Sequence, residues 1–125
     1  DKARESNIRV RFATTTNGTL IDIPSLQLFD SYNVMPMISQ DSCDKTINDY
    51  LRCMASAKQS QFEILKKNKK LLLKSEKRRA IHITITPFNK NFAETAINFY
   101  EEGFYHVHLD FVKWINSNLQ KTILV

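Results

Sequence analysis

The sequence predicts an α+β domain: an N-terminal β-hairpin, a long central helix, and two further short strands and two further helices around one core. Three observations carry that expectation. Apolar and polar residues alternate over 8–12 and again over 80–86, the period-two mark of half-buried strands. Asn17-Gly18 separates the first run from a second one at 19–23, a short-range hairpin signal because both central turn residues need positive φ. Ile47, Leu51, Met54, Phe62 and Leu65 then recur at helical spacing.

The elements follow in order. Ile8-Arg9-Val10-Arg11-Phe12 is the first hairpin strand and Thr19-Leu20-Ile21-Asp22-Ile23 the second, ended by Pro24, which has no N–H for a ladder. Residues 24–42 read as an irregular loop rich in apolar side chains. Asp41 or Ser42 is placed to cap the central helix, which is expected to run toward residue 75 with a break near 56–60. Ala80 to Thr86 is a strand with Ile81, Ile83 and Ile85 on one face and His82, Thr84 and Thr86 on the other, and Pro87 stops it. Asn91 to Glu102 is a helix with a stripe of Phe92, Ala96, Phe99 and Tyr100, and Gly103 fits its C-terminal cap. Phe104 to Leu109 alternates again, with His106 and His108 on one face, and Leu109, Val112, Ile115 and Leu119 space as a last helix.

Composition narrows the function. The 125 residues suit one domain, and 42% hydrophobic with 25% charged residues is globular composition. Two glycines exclude the Gly-rich nucleotide-binding loops. No apolar run approaches the roughly 20 residues of a membrane span, and no signal-peptide pattern stands at the N-terminus, so a cytoplasmic location is expected. The first residue is Asp1, not Met, and the chain is read as a piece of a longer protein. The net charge of +5 permits an anionic partner.

Four sets of residues are candidates for chemistry. Cys43 and Cys53, ten positions apart, would lie about 15 Å apart along one helix, too far for a disulfide. With His82, His106 and His108 they could be counted as zinc donors, but no C-x-x-C pair exists, and neither metal nor cofactor is expected. His82-x-Thr84 and His106-x-His108 resemble the paired H-x-T strands of two-histidine phosphoesterases, which require the two imidazoles to face each other across a cleft. Lys66, Lys67, Lys70, Lys74 and Arg78 belong to a basic stretch that could lie along nucleic acid or an acidic membrane, although no aromatic residue is interleaved for base stacking. Leu26, Leu28, Phe29 and Pro36 give the 24–42 segment an apolar surface suited to a protein partner.

Two stretches together resemble the U-box, the metal-free relative of the RING domain in ubiquitin ligases. The first is Asp22-Ile23-Pro24, Phe29, Met35-Pro36-Met37-Ile38, and Asp44-Lys45 followed by Ile47 and Tyr50-Leu51. The second is Pro87-Phe88-Asn89 with Phe92, Ala96 and Phe99. Cys43 stands where the family has Tyr and Lys45 where it has Arg, and the second-loop proline pattern is missing. The U-box-like part spans approximately 20–102. The resemblance implies an E3 ligase domain without metal or nucleophile, which recruits a ubiquitin-conjugating enzyme and orients it for transfer. Leu26, Leu28, Phe29 and Pro36 would make that contact, with Leu28 as central anchor. A divergent Lys- and Asn-rich version would suit a bacterial effector secreted into a host cell. The alternatives are a non-catalytic protein-interaction module or a basic domain binding nucleic acid or membrane.

Overall fold

The computed structural model describes residues 11–55, 59–75 and 79–112. Its order is β1 (Phe12–Thr16), α1 (Ile23–Ser31), β2 (Val34–Ser39), α2 (Lys45–Leu51), α3 (Gln61–Leu72), β3 (Ala80–Ile85), α4 (Phe92–Glu101) and β4 (His106–Phe111). The four strands form one sheet in sequential order, and every neighbouring pair is parallel. This is an α/β fold, not the expected α+β arrangement. Parallel neighbours need a crossover, and here helices supply it.

The expected hairpin is absent because Asn17-Gly18 does not make its turn. A type I′ turn needs positive φ at both central residues. Gly18 has φ 72°, while Asn33 is the non-glycine residue in that region among the described residues. The run 19–23 leads into α1 instead. Asp22 accepts the Ser25 N–H at 2.9 Å, the Ser25 hydroxyl accepts the Asp22 N–H at 3.0 Å, and Pro24 sits in the first turn. Proline there starts a helix as readily as it ends a strand, since first-turn N–H groups have no helical partner anyway. The 24–42 segment is thus α1 and β2, joined where Asn33 takes φ 53°.

The long central helix is two helices. Asp44 caps α2 by accepting the Ile47 N–H at 3.0 Å, and Ser60 caps α3 by accepting that of Glu63 at 3.1 Å. Asp49 joins them. Its carboxylate accepts from the Ser60 hydroxyl, the Phe62 N–H and the Lys45 ammonium. The strand at 80–85, the helix at 92–101 and the glycine after it stand close to expectation, with Gly103 at φ 106° and the Phe104 N–H turned back to the Phe99 carbonyl. Leu109 lies in β4 rather than a helix, and the rest of the expected last helix, from 113 on, lies outside the described residues. Among the described residues no helix is long and apolar enough to cross a membrane.

One core packs the helices onto one face of the sheet. Ile38, Ile81 and Ile83 meet Leu26 of α1, Leu65 and Leu72 of α3, Phe99 of α4, and Phe104. The Ile38↔Ile81 register and strand alternation put Val107, Leu109 and Phe111 on that helix side. The opposite face therefore carries Thr15, Met37, His82, Thr84, His106, His108 and Asp110. Sequential order with α1, α3 and α4 on one side is the pattern of consecutive β/α units of a barrel, whose ligands collect at the C-terminal strand ends.

Two outcomes test this packing. A Cβ on Gly18 would lie 2.6 Å from Leu65 Cδ2 at a φ that L-residues avoid, so Gly18→Ala should lower unfolding free energy by about 1–3 kcal/mol in a denaturant titration. Burial is the largest single influence on the Asp49 carboxyl and raises its pKa, but the hydrogen bonds from Ser60, Phe62 and Lys45, with the Lys45 charge, outweigh it and leave the value lowered. The stabilisation from Asp49 is therefore complete above the ordinary carboxylate pKa of about 3.9 and fades as pH falls through the lowered folded-state value. Asp49→Asn should flatten that acid limb of stability against pH.

Candidate functional site

The C-terminal ends of β1, β2 and β3 are tied by buried polar side chains. Gln61, at the start of α3, donates to the Asn17 carbonyl and the Ser39 carbonyl, each at 3.0 Å, and accepts from Asn48 of α2 at 2.9 Å. Asn89 donates to the carbonyls of Asp41 and Thr84, each at 2.9 Å, and accepts the Thr86 N–H at 2.7 Å. Asp41 sits between these two groups. Its carboxylate accepts the Thr84 N–H at 2.7 Å, continuing the β2–β3 ladder past the end of β2, and pairs with Arg52, whose Nη2 lies 2.9 Å and Nε 2.7 Å away. Asp41 is 4% exposed, so the guanidinium is the buried carboxylate's ion-pair partner. The loops that would frame a ligand are fixed in advance. Gln40 adds a buried carboxamide whose oxygen has no hydrogen-bond partner among the described residues.

Below this rim, the helix-free face holds a second cluster. His82 of β3 and His108 of β4 are register partners, and their rings stack with centroids 5.4 Å apart. Asp110, two residues beyond His108 on the same face, lies 2.8 Å from His82 Nε2 through one oxygen and 3.4 Å from His108 Nε2 through the other. The His82 hydrogen bond holds the Asp110 carboxyl below its ordinary pKa, and the nearby His108 acts in the same direction. Because an ionised carboxylate only accepts, His82 donates from Nε2, and its buried Nδ1 has no partner among the described residues. The histidines were legible as candidates; Asp110 was not, because an Asp two positions from a His gains meaning only when a neighbouring strand brings in the other His. The imidazoles lie side by side on one sheet, not across the cleft that two-histidine phosphoesterase chemistry needs.

The apolar candidates are dispersed. Leu26 is a core residue, Leu28 is exposed on α1, Phe29 packs against the core and Pro36 is buried in β2. The depression that Leu26 lines has Leu71 and Lys74 of the α3 side as its other wall, and the one Phe29 lines is walled by β1, β2 and His106. Of the basic stretch, Lys66, Lys67, Lys70 and Lys74 are exposed, and Arg78 lies outside the described residues. Lys69 is drawn inward to Glu102 and over the Phe99 ring.

No family model matches the sequence, and no curated protein does. The fold does have solved counterparts. It is similar to native anSMEcpe, an anaerobic sulfatase-maturating enzyme of the radical SAM class, in its structure with bound S-adenosylmethionine (AdoMet). The TM-score is 0.71 at 19% identity, over 88% of this chain and 30% of that one. The same values hold for that enzyme with AdoMet and the Cp18Cys peptide, and with AdoMet and the Kp18Cys peptide. This chain thus spans less than a third of the length of the structures it matches. The parallel sheet and these neighbours overturn the U-box assignment, and with it the ligase activity and the ubiquitin-conjugating partner. They also leave the interaction-module and nucleic-acid- or membrane-binding alternatives without support. At this identity the likeness establishes the fold: this chain has the α/β fold found in one part of an AdoMet-bound radical SAM enzyme.

Proposed function

We propose that this chain contributes an AdoMet-binding surface to an enzyme built on parallel β/α units. The observation that carries the reading is the backbone match to AdoMet-bound structures over 88% of the chain, joined to a preorganised rim where such folds hold ligands. The residues present fit the group. On the helix-free face Met37 lies between Thr15 and Ala80 in register, half-buried, with Thr84 further along β3. Met37 offers a polarisable apolar contact for the adenine, and the hydroxyls of Thr15 and Thr84 offer hydrogen bonds to the sugar. AdoMet, when bound, supplies a sulfonium-activated carbon. The role of this chain's residues is to bind and orient it while Asp41, Gln61 and Asn89 keep the loops fixed.

The chain's own cysteines do not fit an iron–sulfur cluster, which is held by several thiolates. Cys43 Sγ lies 3.6 Å from the Thr95 hydroxyl and from Asn98 Nδ2, and Cys53 is exposed beyond the end of α2. Thr95 and Asn98 are thus the neighbours of the half-buried Cys43 sulfur.

Isothermal titration with AdoMet tests the proposal. Saturable binding is expected, weakened about tenfold or more by Met37→Trp, which crowds the floor, in a variant whose circular dichroism is unchanged. Absence of binding up to about 1 mM AdoMet, or undiminished affinity in a Met37→Trp, Thr84→Val double variant, overturns it.

A further inference from the structure

The geometry points to a second site, adjoining the first through Thr84, the register partner of Asp110: His82, His108 and Asp110 form a three-donor centre for a divalent first-row transition metal on the helix-free face. Their donor atoms all lie within 4.8 Å of one another. Metal–nitrogen and metal–oxygen bonds of about 2.1 Å put neighbouring ligands roughly 3 Å apart. The carboxylate already stands at 2.8 Å from one Nε2 and 3.4 Å from the other. Both rings therefore direct Nε2 at the same carboxylate, and a cation entering between them needs the rings to close together, not to turn around.

The scaffold explains the convergence. His82 and His108 are paired across β3 and β4, and strand alternation returns Asp110 to the same face two residues later. Donors on paired strands are held more firmly than donors on loops. Two imidazoles and one carboxylate suit zinc, iron, cobalt or nickel, and do not suit magnesium or calcium, which take oxygen donors. Three protein ligands leave coordination positions open, the pattern of a reactive rather than a purely structural centre. His108 and Asp110 have side chains 57% and 59% exposed, so those positions face outward.

Two features limit the affinity. Metal on Nε2 takes the place of the proton now donated to Asp110, so that hydrogen bond is given up on binding. It also moves a proton to His82 Nδ1, which has no acceptor among the described residues. Binding is accordingly expected near the micromolar range, about a thousandfold weaker than a nanomolar site with a complete outer shell.

Cobalt(II) titration provides the test. Visible d–d absorption should saturate at one equivalent, be displaced by zinc and not by magnesium, and vanish in His108→Ala and in Asp110→Asn. His106→Ala, on the same strand face, should leave it intact. These side chains are exposed, so both variants should keep the parent circular dichroism. No saturable cobalt spectrum up to about 1 mM metal, or a spectrum that survives both substitutions, overturns the proposal. The readout contains no AdoMet, so its failure and the failure of AdoMet binding are told apart.

Discussion

The structure depends on the buried carboxylate of Asp41. β2 ends two residues before it, yet β3 continues, and the Thr84 N–H would be left without a partner if the side chain did not supply one. Arg52 balances the charge from the far end of α2, and the backbone of Asp41 is held from both sides, its N–H by Asn48 and its carbonyl by Asn89. One residue thereby couples a strand end, α2 and the loop after β3. Removing a member of such a set leaves a buried charge or an unmatched N–H, which costs more than the net contribution of the bonds themselves.

That coupling matters because of what surrounds it. A sheet of parallel strands is ordinarily covered on both faces, since crossover helices and further elements bury it. Here the helices share one face, and the other carries Met37 together with hydroxyl, imidazole and carboxylate groups. A face of that composition is poorly suited to dry burial and well suited to a polar ligand with an apolar part. The rim holds the loops still and the strands hold the side chains still. A ligand taken up there would cost little ordering.

Much of the later half was legible. The isoleucine alternation over 81–85, the apolar stripe of 92–99 and the glycine at 103 each report a local rule, and local rules hold when nothing long-range competes. The first half misled for the same reason. Asn17-Gly18 satisfies a hairpin rule in composition, but Gly18 is needed where the chain passes against Leu65 and Ile38, with its carbonyl bound by Asn68. Pro24 fits a strand end as well as a first helical turn, and Asp22 and Ser25 around it form a complete helix cap. Apolar residues from 26 to 38 had two periods superimposed, a helix followed by a strand, and neither is visible when the boundary at Asn33 is not.

The sequence by itself determined some local units: the strand alternation over 80–85, the helix of 92–101 with the glycine after it, and that His82, His106 and His108 sit on strand faces; it placed the cap of the central helix at Asp41 or Ser42, where the structure has Asp44. It could not determine that neighbouring strands run parallel, because side-chain alternation is identical in parallel and antiparallel pairing. Only the tertiary structure decided the register that sets His82 beside His108 and carries Asp110 to both. Only it decided that the polar residues at 41, 48, 52, 61 and 89 meet at one edge of the sheet. Both are consequences of contacts between residues far apart in the chain, where no spacing rule reaches.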